Sequence, residues 1–192
     1  MKTQLKILAA AALGLAVFSL GNAADDKQGA EKTSHFSRQT VDFGIVVSDI
    51  DKSLKFYQDA LGLTELSTFD VPKDLGGSTG LSDDRPFHIH VLALGEEESA
   101  TKVKLMQFKD TPGKKIDNKF IHSSYGVRYL TIFVNDLNKA LERAKKAGVI
   151  PIAQGPVKVP ENIAPGMGLA VVRDPDGNMV ELVGPMKNGS GN

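Results

Sequence analysis

The sequence contains no cysteine, and this absence excludes several kinds of chemistry. Without cysteine there are no disulfides, no thiolate metal sites and no cysteine nucleophile. Charge of one sign is not in excess, since 23 Lys and Arg residues balance 23 Asp and Glu residues. No basic patch stands out, so nucleic acid is not an expected partner. Stability must therefore come from a packed core, which a domain of about 150 residues can build.

Apolar runs long enough to span a membrane are also missing. Lys2 and Lys6 are followed by the apolar stretch Ile7–Leu20, and small residues then lead to Ala23. This pattern predicts a secretory signal peptide over residues 1–23, cleaved after Ala23. The stretch is shorter than the roughly 20 residues that a spanning helix needs, and no cysteine follows it to carry a lipid. We therefore expect a periplasmic or secreted protein without membrane contact after cleavage.

Two later segments repeat one pattern, in which an apolar run is followed by an Asp and then by amphipathic helix spacing. The segments are Val41–Leu61 and Val127–Gly148, and Asp49 in the first matches Asp136 in the second. Asp49 or its neighbour Ser48 can cap the helix that follows. An internal repeat of this kind indicates two related structural units.

The residues around each repeat predict the element order β-α-β-β-β twice. In the first unit we expect strands over 41–47, 63–69, 87–94 and 102–108, with a helix that ends at Gly62. In the second we expect strands over 128–134, 150–153, 169–173 and 179–183, with a helix over 137–147. The predicted organisation is a leader over 24–39, module one over 40–108, a linker over 109–126, module two over 127–186 and a tail over 187–192.

Two motifs carry a resemblance to a known family. V-S-D-I-D-K-S-L-K-F-Y lies in module one, and D-P-D-G-N-M-V-E-L closes module two. In this order the chain resembles, over about residues 40–186, the vicinal oxygen chelate superfamily of glyoxalases, bleomycin-resistance proteins and ring-cleaving dioxygenases. The resemblance implies an α+β fold in which two tandem βαβββ modules form a cup-shaped sheet. It also implies that the modules pair either within one chain or by exchange across a homodimer.

In that family, the first and last strands of each module hold a divalent metal through His, Glu or Gln. The resemblance places those positions at Asp42, Lys104, Tyr129 and Glu181, of which only Glu181 is a usual ligand type. A protonated lysine has no lone pair for a metal. We therefore expect the standard metal site to be largely lost, so that the cofactor is either absent or a divalent metal held differently.

Three interpretations remain for Asp42, Lys104 and Glu181, which are the predicted catalytic residues. They could form a salt-bridge network in which Lys104 neutralises both carboxylates. They could instead form a metal-independent site in which Lys104 holds an oxyanion while a carboxylate transfers a proton. In the third interpretation, the two carboxylates hold a hard cation.

An H-x-H pair on a predicted strand offers a second source of metal ligands. His88 and His90 point to one face of that strand, which suits a metal, the lining of a pocket or an ordinary structural role. The opposite face, F-x-I-x-V, is expected to pack on the helix and to leave the histidines toward the cup or solvent. The predicted ligand-binding residues are Tyr129, Lys102, Met106, Phe108, His88 and His90.

Three functions are consistent with these patterns. The first is an exported protein that binds a small organic ligand in its cup without the standard metal site. The second is a lyase or isomerase of the glyoxalase I or epimerase type with a divergent metal site, in which His88 and His90 could take part. The third is a non-catalytic interaction module of the cell envelope.

Overall fold

A computed structural model describes residues 35–187 with the exception of residue 97. The predicted signal peptide 1–23, the leader up to residue 34 and the tail after residue 187 lie outside the described residues. Within the described range, residues 38–187 belong to one compact unit. No helix in the described part of the chain is long and apolar enough to cross a membrane.

The predicted order β-α-β-β-β appears twice, with one additional helix in module one. Module one contains β1 (Phe43–Val46), α1 (Ile50–Lys55), a π-helical turn (Phe56–Ala60), β2 (Thr64–Val71), α2 (Lys73–Ser78), β3 (Phe87–Ala93) and β4 (Lys102–Met106). Module two contains β5 (Tyr129–Phe133), α3 (Leu137–Lys146), β6 (Val157–Lys158), β7 (Met167–Arg173) and β8 (Met179–Pro185).

Each module forms one four-stranded mixed sheet, and the two sheets share a topology. The strand orders are β1-β4-β3-β2 and β5-β8-β7-β6. The first and last strands of each module run parallel as neighbours, and the remaining pairs are antiparallel. The fold is therefore α+β, built from two tandem βαβββ modules. The four positions that the resemblance singled out lie on or beside these paired first and last strands.

The repeated Asp has a definite structural role at each helix start. The Oδ1 atom of Asp49 accepts a hydrogen bond from the Lys52 N–H at 3.1 Å, and that of Asp136 accepts one from the Lys139 N–H at 3.2 Å. Each carboxylate thus satisfies one of the N–H groups that lack a partner in the first turn. At the other end of the first helix, Gly62 adopts φ +82°, a conformation that glycine reaches without steric cost.

The helices of both modules pack into one hydrophobic core. Tyr57 on the π-helical turn and Leu137 on α3 are fully buried there, together with one face of each sheet. Polar contacts join the modules as well. The Tyr57 hydroxyl donates to Asp174 Oδ2 at 3.1 Å, and the Arg143 guanidinium donates to the carbonyls of Ala60 and Leu61.

Two local predictions are wrong. The segment predicted as a strand over 150–153 makes a single ladder-like bond, from Ile152 N–H to the Val171 carbonyl at 2.9 Å. Pro151 has no N–H to donate, and the short strand β6 pairs with β7 instead. In module one, no helix was expected between the predicted strands over 63–69 and 87–94, because two glycines lower helix propensity there, but the segment contains α2. The structure accounts for both, because a Cβ on Gly76 would clash with the Ser82 hydroxyl and a Cβ on Gly77 would clash with the Asp84 carboxylate.

The expected facing of β3 is also reversed. Phe87, Ile89 and Val91 do not pack on the helix; they form a separate cluster with Val71, Met106 and Phe108. The helix-facing side is the one that carries Leu92, together with Leu105 of β4. Residues two apart on a strand share a face. His88 and His90 therefore lie on the helix-facing side of the module-one sheet, beyond the core.

Candidate functional site

The first-strand and last-strand positions of module one are joined by an ion pair. Lys104 Nζ lies 3.1 Å from Asp42 Oδ2, and Arg38 Nη2 donates to the same oxygen at 2.7 Å. The Lys102 N–H donates to Asp42 Oδ1 at 3.3 Å. Burial alone would raise the pKa of Asp42, but the hydrogen bonds from Arg38, Lys104 and Lys102 outweigh it and lower the pKa to about 2. Asp42 is therefore an ionised acceptor with its oxygens engaged.

The matched positions of module two carry a different arrangement. Glu181 Oε2 accepts a hydrogen bond from Thr131 Oγ1 at 2.8 Å, across the parallel pair β5 and β8. Among the described residues, no ion pair or hydrogen bond joins Glu181 to Asp42 or Lys104. Of the two carboxylates, Lys104 pairs with Asp42 and not with Glu181. The predicted network that included both carboxylates therefore does not extend to Glu181.

These residues do not fit the divalent metal that the family resemblance implies. The Lys104 ammonium lies against the Asp42 carboxylate, so a cation at contact distance would be repelled there. Within the described ranges, no group of three or more His, Cys, Asp or Glu side chains is arranged to hold a metal ion.

A cavity of about 520 Å³ lies between the two modules. We call it the inter-module cavity. Its walls come from β1, the start of β5, the linker and the turn before β8. It is lined by residues 43–48, Phe108, residues 112–116, Asn118, residues 127–130, Pro175, Asp176, Asn178 and Met179. Its volume lies within the roughly 300–1,000 Å³ range of small-molecule sites in proteins.

Two arginines hold the linker against module two at the side of this cavity. Arg128 donates from Nη2 to the Asp117 carbonyl at 2.8 Å and from Nε to the Ile121 carbonyl at 3.1 Å. Arg173 donates to the carbonyls of Asn118 at 2.7 Å and Lys119 at 2.9 Å. Because carbonyl oxygens only accept, these contacts fix the linker backbone without using any linker side chain.

One nitrogen of the Arg128 guanidinium makes none of these hydrogen bonds. This Nη1 atom is shielded from solvent and has no hydrogen-bond partner among the described residues, while other atoms of the residue line the inter-module cavity. A buried donor of a charged group that is left unsatisfied is costly, and such groups in native proteins usually have a partner. Lys114 and Lys115 line the same cavity, against one carboxylate, Asp176. The titratable side chains of the lining are therefore mainly cationic.

The turn that closes module two is held from module one. Asp174 Oδ1 accepts from the N–H groups of Asp176 and Asn178, and its Oδ2 accepts from the Tyr57 hydroxyl and the Asn178 amide. Burial raises the pKa of Asp174, although the hydrogen bonds from Asn178 and Tyr57 act in the opposite direction. Asp176 Oδ2 in turn accepts from the Ser48 N–H at 3.0 Å. The turn thereby brings Asp176 and Asn178 to the cavity wall.

The structure divides the sequence-predicted site residues into two groups. Tyr129 and Phe108 line the inter-module cavity, as members of its lining set. The other predicted residues do not line it: Asp42, Lys104, Glu181, Lys102, Met106, His88 and His90. Sequence reasoning missed Arg128, Lys114 and Lys115. The two lysines were visible only as charges in a polar linker, and the unpaired nitrogen of Arg128 leaves no sequence signal.

A family model described as the Glyoxalase/Bleomycin resistance protein/Dioxygenase superfamily matches residues 34–182. The chain belongs to this superfamily. The match covers module one, the linker and module two as far as residue 182, so it confirms the family resemblance noted from the two motifs. Superfamily membership does not by itself specify a reaction, because one fold serves many activities.

Similar proteins of known name are lactoylglutathione lyases. The enzyme of Haemophilus influenzae is 29% identical over 149 residues, which cover 76% of this chain and 93% of that protein. The enzyme of Neisseria meningitidis serogroup B is 28% identical over 138 residues, which cover 71% of this chain and 83% of that protein. These similarities are weak.

Solved structures of the superfamily share the fold. A glyoxalase family protein from Bacillus cereus matches with a TM-score of 0.64 at 18% identity, covering 82% of this chain and all of that one. The trypanothione-dependent glyoxalase I of Leishmania major matches with a TM-score of 0.54 at 27% identity, covering 77% of this chain and 87% of that one. The first match supports the fold alone.

Proposed function

We propose that this glyoxalase-superfamily protein binds a small organic anion in the inter-module cavity, without a metal at the family positions. The observation that carries the proposal is the charge of the cavity lining, in which Lys114, Lys115 and Arg128 stand against one carboxylate, Asp176. A carboxylate is the acceptor that a guanidinium binds best. An anionic ligand would therefore offset the positive charge of this lining.

The remaining lining supports the same class of ligand. Lys114 and Lys115 add positive charge, and Phe108, Val127 and Met179 add apolar surface. Tyr129 contributes an aromatic ring with a hydroxyl group. A few polar groups set in a mainly apolar wall are typical of pockets that orient a small molecule. At the family metal positions, the ion pair between Lys104 and Asp42 argues for binding without metal.

Calorimetric titration of the purified, metal-free protein with S-lactoylglutathione tests the proposal. This probe carries two carboxylates, and its diethyl ester is a matched ligand in which both are blocked. We expect the acid to bind and the ester to bind at least tenfold more weakly. Equal binding of the two forms would contradict an anion site. So would a failure of S-lactoylglutathione and of a panel of small carboxylic acids to raise the melting temperature.

A pair of double variants locates the site. Lys114→Ala with Lys115→Ala removes cavity charge, and Lys73→Ala with Lys146→Ala removes two exposed charges elsewhere. We expect the first variant to weaken binding of the acid about tenfold and the second to leave it unchanged. If both variants weaken binding equally, the attraction is general to the surface and the proposed cavity is wrong.

A lyase of the lactoylglutathione type with a divergent metal site is the second candidate, and the identity to lactoylglutathione lyases favours it. The test follows formation of S-lactoylglutathione from the hemithioacetal of methylglyoxal and glutathione, with and without added Ni²⁺ or Zn²⁺. Metal-dependent turnover that is lost in Glu181→Gln would establish this candidate in place of the first. Absence of turnover with either metal would remove it.

We further propose that the protein is exported. The support is the sequence of residues 1–23, in which Lys2 and Lys6 precede an apolar stretch and small residues lead to Ala23. Expression of the full chain with a carboxyl-terminal tag, followed by cell fractionation and amino-terminal sequencing, tests this. We expect the tagged protein outside the cytoplasm, beginning at Ala24. Cytoplasmic protein that begins at Met1 would contradict export.

A further inference from the structure

We propose that His88 and His90 form a two-histidine site for a transition-metal ion such as Zn²⁺ or Ni²⁺, on the helix-facing side of the module-one sheet. The site is separate from the inter-module cavity, since neither histidine lines that cavity. It does not depend on the proposed ligand-binding function.

The first step is the placement of the two rings. His88 and His90 are alternate residues of β3, so both side chains leave the same face of the sheet. Their ring centroids lie 4.9 Å apart with an interplanar angle of 76°. Two imidazoles at this separation can direct one nitrogen each toward a shared ion. Zn²⁺ and Ni²⁺ are metals that imidazole ligands suit.

The second step is the orientation of the rings by carboxylates. His88 Nδ1 lies 2.7 Å from Asp70 Oδ1, and His90 Nδ1 lies 2.7 Å from Glu65 Oε1. A carboxylate oxygen accepts, so Nδ1 is the donor in each contact, and an imidazole of that tautomer has its lone pair on Nε2. A ligating histidine that donates its other N–H to a carboxylate is the usual surrounding of a protein-bound metal.

The third step is the support behind those carboxylates. Asp70 stands directly opposite His88 in the register of β2 and β3. Glu65 stands opposite Leu92, which is diagonal to His90 on the same face. The second oxygen of Glu65 also accepts from Gln58 Nε2, on the π-helical turn, at 3.4 Å. The orientation of His90 is thus set from two neighbouring elements.

The fourth step is access and coordination number. The His88 side chain is 45% exposed and that of His90 is 21% exposed, so an ion can reach both rings from solvent. No third His, Cys, Asp or Glu in the described residues completes a metal group there. Two imidazoles would supply the protein ligands, and water would fill the remaining positions.

Calorimetric titration of the metal-free protein with Zn²⁺ and with Ni²⁺ tests the proposal. We expect one ion per chain. His88→Ala or His90→Ala should weaken binding at least tenfold, whereas His122→Ala, in the linker, should leave it unchanged. The double variant Glu65→Gln and Asp70→Asn should weaken binding about 10-fold to 100-fold while it retains both rings. Circular dichroism and thermal melting of each variant establish that the fold is kept.

Nitrogen-15 spectra of the histidine rings provide a readout that a structural role would not move. Zn²⁺ should shift the Nε2 resonances of His88 and His90, while those of His35 and His122 stay in place. Equal metal binding by the wild type and by the His88→Ala His90→Ala variant would overturn the proposal. Coordination through Nδ1, or no binding at millimolar Zn²⁺, would overturn it as well.

Discussion

The cap positions of the two modules behave alike, whereas their first-strand positions do not. Asp49 and Asp136 make the same bond to a backbone N–H in the first turn of a helix. Asp42 is engaged by Arg38 and Lys104, but its counterpart Tyr129 lines the inter-module cavity. A cap is required wherever a helix begins, so its chemistry is set locally. A side chain on a sheet face depends on its neighbours, and these differ between the modules.

The modules also differ in what each supplies to the other. From module one, the Tyr57 hydroxyl donates a hydrogen bond to Asp174. From module two, the Arg143 guanidinium donates to the carbonyls of Ala60 and Leu61. The first contact is one bond to a buried carboxylate that already holds its own turn. The second is a pair of charged bonds to a helix end. Substitutions that remove these two contacts should therefore lower the free energy of unfolding by different amounts.

Asp174→Ala should have the largest effect on stability. The substitution removes the acceptor of four hydrogen bonds and leaves the fully buried Tyr57 hydroxyl without a partner, so we expect the free energy of unfolding to fall by about 3 kcal/mol. Urea denaturation at neutral pH measures this loss. Asp110→Ala, at an exposed linker position, is the control and should change stability very little. A loss at Asp174 no larger than at Asp110 would contradict the role of the turn.

Arg143→Met should have the next largest effect. It keeps the apolar stem and removes both bonds to the end of the π-helical turn and Leu61, at a cost of about 1.5–3 kcal/mol for bonds from a charged donor. Arg143→Lys should recover part of that loss, because a lysine can reach one carbonyl. Lys146→Met, on the exposed side of α3, is the matched control for lost charge. Equal urea midpoints for the Arg143 and Lys146 variants would show that this contact is not stabilising.

Asp49→Ala and Asp136→Ala test how alike the caps are. We expect each to lower the free energy of unfolding by about 1 kcal/mol, because each leaves one first-turn N–H without its acceptor. Asp49 also pairs with Lys52 at 2.7 Å, but the Lys52 side chain is 74% exposed and such pairs contribute little. The two urea curves should therefore shift together. If the two losses in the free energy of unfolding differ by more than about 1 kcal/mol, the two caps are not equivalent.

Asp42→Asn should lower stability at neutral pH, and the difference from the wild type should shrink in acid, where the wild-type carboxylate is itself protonated. Because the pKa of Asp42 is lowered from 3.8 to about 2, its ionised form contributes stability above pH 3.8 that is lost as the pH falls toward 2. The melting temperature of the wild type should therefore fall more steeply than that of Asp42→Asn between about pH 4 and about pH 2. Tyr129→Phe, at the matched position, should follow the wild-type curve. Parallel curves for wild type and Asp42→Asn would contradict the ion pair.

Local backbone chemistry was predictable from the sequence, and the helix caps and the turn at Asp174 show why. Each involves residues that are close along the chain, so the partner is visible in the sequence. The facing of His88 was not predictable, because both sides of β3 carry apolar residues and periodicity does not say which side a helix covers. The role of Arg128 was hidden for another reason. Its acceptors are carbonyl oxygens, which every residue has.

The attachment of the linker to module two by Arg128 and Arg173 has a consequence for the connectivity of the protein. Arg128 and Arg173 attach residues 117–121 to module two through backbone oxygens, while the exposed residues Lys114 and Lys115 stand before that attachment. The shared core and the contacts of Tyr57 and Arg143 do not run through the peptide bond between these lysines. Trypsin cleavage at this point should therefore yield two polypeptides that still elute as one folded complex. Once the protein has folded, this peptide bond should no longer be needed to hold the two modules together.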